Sequence, residues 1–296
     1  MSTTERNHLL GSSITIVMPA YNEEKTVSDV IRGVKASVPN AHILVIDDGS
    51  TDNTRRIAEA AGAEVVRHPN NKGNGACLKT ALRSIDGGII GVLDADGQHD
   101  PGQLPEMLEL LRDYDLVVGA RNFAPQEGSP LRNLGNRILR KLASFLAERD
   151  IPDLTSGFRV FRHDIAIKFL HLYPNGYSFP STSTLSFMTA GYNVTFMPVS
   201  VSSRPAGTES KLRPFRDGFR FIMFILRIIT MTNPNKIFLP SGLTMILIGV
   251  VLTIRNLILF QQFSEGVVLF LAGGINIIFF GLILDQFALL RLQARD

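Results

Sequence analysis

Three clusters of acidic and amide side chains stand out in the first hundred residues. They are Pro19-Ala20-Tyr21-Asn22-Glu23-Glu24, Asp47-Asp48-Gly49-Ser50-Thr51-Asp52 and Asp94-Ala95-Asp96-Gly97-Gln98-His99-Asp100. Each follows a short apolar run, so each is expected at the end of a strand. Like charges gathered at one sheet edge are costly unless a cation or hydrogen-bond donors compensate them. Asp94, Asp96 and Gln98 alternate, and along an extended segment their oxygens converge on one side. Hard oxygen ligands of this kind suit Mg²⁺ or Mn²⁺, which keep coordination sites for water and for a substrate's phosphates. Such an ion offsets the charge of a departing diphosphate. His99, next to Gln98, is expected to point elsewhere. The Ser50–Asp52 turn has a second reading as a helix N-cap, with Thr51 or Asp52 as the capping residue.

The elements that position these clusters are legible in the hydrophobic pattern. Apolar runs predict strands over 14–18, 42–47, 64–66, 89–94 and 116–119, and helical periodicity predicts helices over 24–37, 52–61, 75–85 and 101–112. Strands alternating with helices indicate an α/β fold with a mainly parallel, doubly wound sheet. In such sheets ligands bind beyond the carboxyl ends of the strands, where the three clusters fall.

Apolar residues make up 45% of the 296, charged ones 19%, which excludes a disordered chain or a coiled coil. The one cysteine, Cys77, excludes a disulfide framework and a multi-thiolate structural zinc site, and fits a reducing compartment. The N-terminus shows no signal-peptide pattern. The net charge is +3, but the basic excess is local. Between Arg204 and Lys236 stand seven Lys/Arg against two acids, directly before an apolar tail. That placement marks a membrane surface rather than a nucleic-acid groove, so no nucleic-acid partner is expected.

The tail holds two uncharged runs, 18 residues over 237–254 and 19 over 266–284. They are expected to form a transmembrane hairpin with spans at about 237–256 and 266–287, linked through Arg255–Glu265; a pair of buried soluble helices is the alternative. The basic residues flanking the hairpin place both termini and the preceding domain on the cytoplasmic side. Gly242, Gly249, Gly273, Gly274 and Gly281 permit close helix contact and are compatible with a homo-oligomer. Within 213–235, Phe215, Phe219, Ile222, Leu226 and Ile229 share one face and Arg216, Arg220 and Arg227 another. This reads as an amphipathic juxtamembrane helix in the headgroup layer, or as a core helix under the preceding domain. The expected domains are therefore 1–212, 213–235 and 236–296.

The stretches VMPAYNEE (17–24), IDDGSTD (46–52), NKGNGACLKT (71–80), LDADGQHDP (93–101), TSGFRVFR (155–162) and RPAGTESKL (204–212) resemble, in this order, glycosyltransferase family 2 enzymes of the GT-A fold. Within that family the resemblance is to the dolichol-phosphate mannose synthase and bacterial polyprenyl-phosphate glycosyltransferase group. It implies a membrane-anchored, inverting transfer of a hexose from a nucleotide sugar to polyprenyl phosphate, with Mg²⁺ or Mn²⁺ as cofactor and the lipid bilayer as partner. Carried over to this chain, it implies that Pro19, Ala20, Tyr21, Glu23, Asp48, Asp94, Ala95 and Asp96 contact the donor nucleotide. Asp96 and Gln98 then bind the metal, and Arg204 and Lys211 lie on a loop closing over the diphosphate. Asp94, Asp96 and Asp153 are the implied catalytic acids, with Asp153 near the transferred sugar. The family's Gly-Lys-Gly near 73–75 is replaced by Lys72-Gly73-Asn74-Gly75, which leaves the basic contact there open.

A phosphomonoester is largely dianionic at neutral pH and is already a nucleophile. It needs a cationic anchor rather than a general base. Arg121, Arg132 and Arg137, with Ser156, are the expected acceptor-phosphate contacts, and Arg159 is a further one. Blander readings stand beside these: Tyr21 packing at the sheet edge, Asp153 capping a turn, Lys211 as a solvated charge, Arg137 on a surface helix. The absence of Trp argues against a processive polysaccharide synthase, which typically carries Gln-x-x-Arg-Trp. Transfer to another lipid or a protein, or non-catalytic binding of a nucleotide sugar, are the remaining alternatives.

Overall fold

The computed structural model describes residues 13–121, 137, 141, 144–145, 149–176, 178–201, 233–261 and 265–293. The chain forms two compact units, one of residues 1–144 and 150–213, the other of 145–149 and 214–296.

The first unit is built on strands β1 (Ile14–Ala20), β2 (His42–Asp47), β3 (Glu64–Arg67), β4 (Ile89–Val92), β5 (Leu116–Arg121), β6 (Arg159–Arg162) and β7 (Val194–Val199). Between them lie α1 (Val27–Ser37), α2 (Thr54–Ala60), α3 (Asn74–Ser84), α4 (Leu104–Leu110), the short α5 (His163–Ala166) and α6 (Phe179–Thr189). The sheet order is β3-β2-β1-β4-β6-β5-β7. β1, β2, β3 and β4 run parallel, as does the β5–β7 pair, whereas β6 is antiparallel to both β4 and β5.

Successive strand residues serve opposite faces. Ile16 and Met18 join Ile43 and Val45 in a core with α1 and α4, while Val17, Leu44 and Ile46 join Leu78, Phe161 and Phe187 on the other side. Both faces are covered, so the strands read as continuous apolar runs. Helix α1 follows the same logic: Val27, Val30, Ile31 and Val34 fall at i, i+3, i+4 and i+7, and all are buried. Each such side chain contributes roughly 1.5–3 kcal/mol relative to exposure.

The parallel strands and their helices agree with the sequence expectation, with three differences. β6 and β7 were not anticipated. β4 ends at Val92, and the chain then turns through Ala95 and Asp96 to Gly97, whose φ is +71°. Asp94, Asp96 and Gln98 therefore do not alternate along a strand. Helix α2 is preceded by Asn53 rather than by Thr51 or Asp52, although the Asp52 carboxylate accepts from Thr54 N at 3.0 Å.

In the second unit, α7 (Asn235–Phe260) and α8 (Glu265–Gln293) are long and apolar enough to cross a membrane, with mean hydropathies of 2.3 and 2.6. Most of their apolar side chains are exposed, which supports membrane association. The expected link from Arg255 is shorter, because helix continues through Arg255 and Asn256 to Phe260 before Gln261 adopts a left-handed φ of 52°. A Cβ on Gly242 would lie 2.7 Å from Gly274 O, and one on Gly274 2.8 Å from Gly242 O. Gly242 and Gly274 thus let the two backbones of the hairpin approach each other. The expected juxtamembrane helix, apart from residues 233–235, lies outside the described residues.

Candidate active site

The carboxyl ends of β1, β2 and β4 face a cavity of ≈ 300 Å³. Of the ten residues expected around a donor nucleotide, Pro19, Ala20, Tyr21, Glu23, Asp48, Asp94, Ala95 and Asp96 line it, and Arg204 and Lys211 lie outside the described residues. Asn71, Gly73, Asn74 and Cys77 complete the wall. These four come from the β3–α3 connection and the first turn of α3, within the stretch 71–80 that carries part of the family resemblance, although none of the four was itself expected as a contact.

The loops are held by cross-connections. Asn22 N donates to Ser50 Oγ at 2.9 Å, Glu23 N to Thr54 Oγ1 at 2.8 Å and Glu24 N to Asp52 Oδ2 at 3.2 Å. Thr26 Oγ1 donates to Ala95 O at 2.7 Å, joining the first cluster to the third. Ser50 and Asp52 thus act as ties between loops. Tyr21 is 45% exposed at the rim, which disposes of the reading that it packs into the sheet edge.

Asp48 is buried and accepts from Lys72 N at 2.9 Å and Gly73 N at 2.7 Å. Its Oδ1 lies 2.7 Å from His68 Nδ1, and His68 Nε2 lies 2.8 Å from Thr80 Oγ1. Lys72 therefore reaches Asp48 through its backbone N–H. Gly73 has φ +98°, and a Cβ there would stand 2.6 Å from Asn175 O. A side chain is excluded on both counts.

Asp94 Oδ1 accepts from Asn74 Nδ2 at 3.3 Å, and Asp96 Oδ1 accepts from Gln98 N at 3.1 Å. Asp94 and Asp96 line the cavity; Gln98 is half-buried and follows in the turn that Asp96 closes. His99 is buried with its ring 5.1 Å from that of Phe158, and it forms an antiparallel bridge with Val201. It points into the fold, as its position beside Gln98 implied. Burial lowers the tendency of its imidazole to protonate, and the charges of Asp96, Arg121 and Asp153 all reach it.

Arg121, Asp153, Thr155 and Ser156 form a second group. Asp153 is 1% exposed and receives Arg121 Nε at 2.7 Å, Arg121 Nη2 at 3.1 Å and Thr155 N at 2.9 Å. Burial pushes its carboxyl up, but the Arg121 guanidinium and the Thr155 and Arg121 N–H groups outweigh burial and hold it below the usual carboxylate range. Asp153 does not line the cavity. Its carboxylate orders the turn and Arg121, so the turn-capping reading and an electrostatic one both apply. Gly157 connects the two groups: a Cβ there would lie 2.7 Å from Asp94 Oδ2.

Ser156 is buried, and its Oγ has no hydrogen-bond partner. Arg159 is corrected as a ligand-facing cation. It is fully buried, with Nη1 donating to Pro180 O at 2.8 Å and Ser183 Oγ at 2.7 Å, and Nη2 donating to Ser156 O. Burial pushes its pKa down to about 10 against the opposing pull of Asp153, Tyr173 and Asp94. Arg159 clamps the Asp153–Gly157 turn onto α6. Arg137 is exposed. Arg132, Arg204 and Lys211 lie outside the described residues.

Comparison with known proteins agrees with this fold. The glycosyl transferase family 2 sequence model matches residues 15–170, and that of the GtrB C-terminal hairpin matches residues 233–290. The chain is 30% identical to glycosyltransferase AglJ of Haloferax volcanii, over 92% of this chain and 93% of that protein. It is 31% identical to a dolichyl-phosphate hexose transferase of the same organism, over 69% of this chain and 89% of the relative. Among solved structures, glucosyl-3-phosphoglycerate synthase of Mycobacterium tuberculosis, determined with Mn²⁺, UDP and phosphoglyceric acid, superposes with a TM-score of 0.60. That match has 21% identity and covers 77% of this chain and 82% of the other. The fold is thus the GT-A-like, mostly parallel sheet that the motifs implied, followed by an apolar two-helix hairpin.

Proposed function

Because the chain belongs to glycosyl transferase family 2, we propose that this glycosyltransferase moves a hexose from a nucleotide sugar to a polyprenyl phosphate at a membrane surface. One observation carries the reading: residues from three strand ends meet in a single cavity that holds both Asp94 and Asp96. The apolar hairpin supports a lipid acceptor, as does the likeness to a dolichyl-phosphate hexose transferase.

In this reading Asp48 and the backbone at Ala20 and Tyr21 receive the nucleoside, and Asp94 stands beside the diphosphate. The donor set fits a hard divalent cation, since the cavity carries the Asp94 and Asp96 carboxylates, with the Gln98 amide close in sequence. Asp96 and Gln98 would hold Mg²⁺ or Mn²⁺. When bound, the ion neutralises charge on the departing nucleoside diphosphate. Arg204 and Lys211 are assigned to the leaving diphosphate, whose negative charge they would offset. On the acceptor side Arg121, kept in place by Asp153, attracts the lipid phosphate, with Arg132, Arg137 and Ser156 as further contacts. The phosphate oxygen attacks the anomeric carbon in line with the leaving group, inverting the configuration. The catalytic unit and both termini lie on the cytoplasmic side. The hairpin confines enzyme and isoprenoid to one membrane, which raises their encounter frequency.

The test is reconstitution. Full-length protein in detergent or vesicles, given Mg²⁺, a panel of nucleotide sugars and a polyprenyl phosphate, should yield a glycosylated lipid phosphate and nucleoside diphosphate. Transfer to a dephosphorylated polyprenol at the same rate would refute the phosphate acceptor.

A further inference from the structure

Beside the oxygen-rich end of the cavity lies a cluster of different chemistry. Asp48 follows β2, His68 follows β3 and Cys77 sits in the first turn of α3, and all three are buried. Their carboxylate oxygen, ring nitrogen and sulfur lie within 4.8 Å of one another. We propose that Asp48, His68 and Cys77 form an inhibitory site for a thiophilic divalent cation of the Zn²⁺ type, whose occupancy blocks the cavity assigned to the donor nucleotide.

The surroundings are those of a supported ligand set. His68 Nε2 meets Thr80 Oγ1 at 2.8 Å, which fixes the ring with Nδ1 toward Asp48. A hydrogen bond to the far ring nitrogen orients metal-bound histidines in general. The backbone N–H groups of Lys72 and Gly73 hold the Asp48 carboxylate. The mixed O, N and S donors favour Zn²⁺ over Mg²⁺ or Mn²⁺, which prefer oxygen alone.

Charge balance points the same way. Without the ion, burial and the adjacent Asp48 push the Cys77 thiol well up, so it stays protonated. On binding, Cys77 releases its proton to solvent, and neutral His68 gives up the Nδ1 proton that faces Asp48 and takes one on Nε2, which then donates to Thr80 Oγ1 while Nδ1 ligates. One carboxylate and one thiolate then neutralise one dication, so the filled site carries no net charge, which burial favours. Asp48 and Cys77 also line the cavity, which supplies both an entry path and a fourth position for water. Only the blocking effect, and not the metal binding, rests on the proposed donor site.

The experiment titrates full-length protein in detergent with Co²⁺ and follows cobalt–thiolate charge-transfer absorption. One equivalent should produce the band, Zn²⁺ should abolish it, and Cys77→Ser should lack it while retaining its circular dichroism spectrum. His68→Gln should weaken Co²⁺ binding about 10-fold or more. With free Zn²⁺ set by a metal buffer and Mg²⁺ in excess, Zn²⁺ should inhibit transfer competitively with nucleotide sugar. Absence of the band, or its persistence in Cys77→Ser, overturns the metal site. A normal band unaffected by saturating nucleotide sugar overturns the blocking effect and the location of the donor, and leaves the cation site standing.

Discussion

Replacing Arg121 by Ala tests how the second residue group is held together. Asp153 would keep the N–H groups of Arg121 and Thr155 but lose two charged hydrogen bonds, at 2.7 and 3.1 Å. Removing one partner of a buried pair costs about 3–5 kcal/mol. Arg121 is 25% exposed and the backbone donors remain, so the low end, about 3 kcal/mol, is expected. At roughly 2–4 °C per kcal/mol for a unit of this size, melting should fall by about 6–12 °C.

The pH dependence gives the sharper reading. In the parent protein the folded carboxyl lies below its unfolded value. Its stabilising contribution is therefore present above the unfolded pKa of about 3.9 and is lost as pH falls through the lower, folded pKa. Without Arg121, burial dominates and the folded pKa rises above the unfolded one. The variant's carboxyl then contributes stability below the unfolded pKa, and that contribution is lost as pH rises through the folded pKa. The gap between the two proteins should narrow from pH 7 toward pH 4. Circular dichroism melts across that range, with Asp153→Asn and the double variant completing a cycle, measure it. A pH-independent gap, or strictly additive single effects, would refute the coupling.

Asp96→Asn should lower turnover by about 100-fold or more with little change in melting temperature, since the loss falls on charge stabilisation at the diphosphate; a product assay across Mg²⁺ concentrations checks it. Chelation with EDTA should stop transfer, and added Mg²⁺ or Mn²⁺ should restore it. Gly157→Ala brings a methyl group to 2.7 Å from Asp94 Oδ2; turnover should drop by about 10-fold as Asp94 is displaced, because small misplacements in an active site are this costly. Arg159→Ala should cost about 3–5 kcal/mol, leaving an internal void and unsatisfied carbonyls at Pro180 and Ser156; thermal melts read it directly.

Much of the molecule was legible in one dimension because its signals are local. β1, β2 and β4 are mainly apolar runs, α1 shows its buried stripe at helical spacing, and each acidic cluster falls at a strand end. Two strands escaped that logic. β6 reads Arg-Val-Phe-Arg, with charges at both ends, yet it is buried throughout because Arg159 finds its partners on α6. β7 contains Pro198, which breaks the expected strand pattern and is tolerated because β7 is the edge of the sheet.

By itself the sequence determined the alternation of strands and helices, the apolar hairpin and the placing of the acidic clusters at strand ends, because hydrophobic period and turn chemistry act over a few neighbouring positions. Which distant groups meet was decided only by tertiary structure. Asp153 lies 32 positions from Arg121 and is committed to it, and Arg159 turned inward rather than toward a ligand. Asp48, His68 and Cys77 became neighbours because β2 and β3 end and α3 begins at one sheet edge. Such pairings depend on strand order and helix packing, which no short-range pattern encodes.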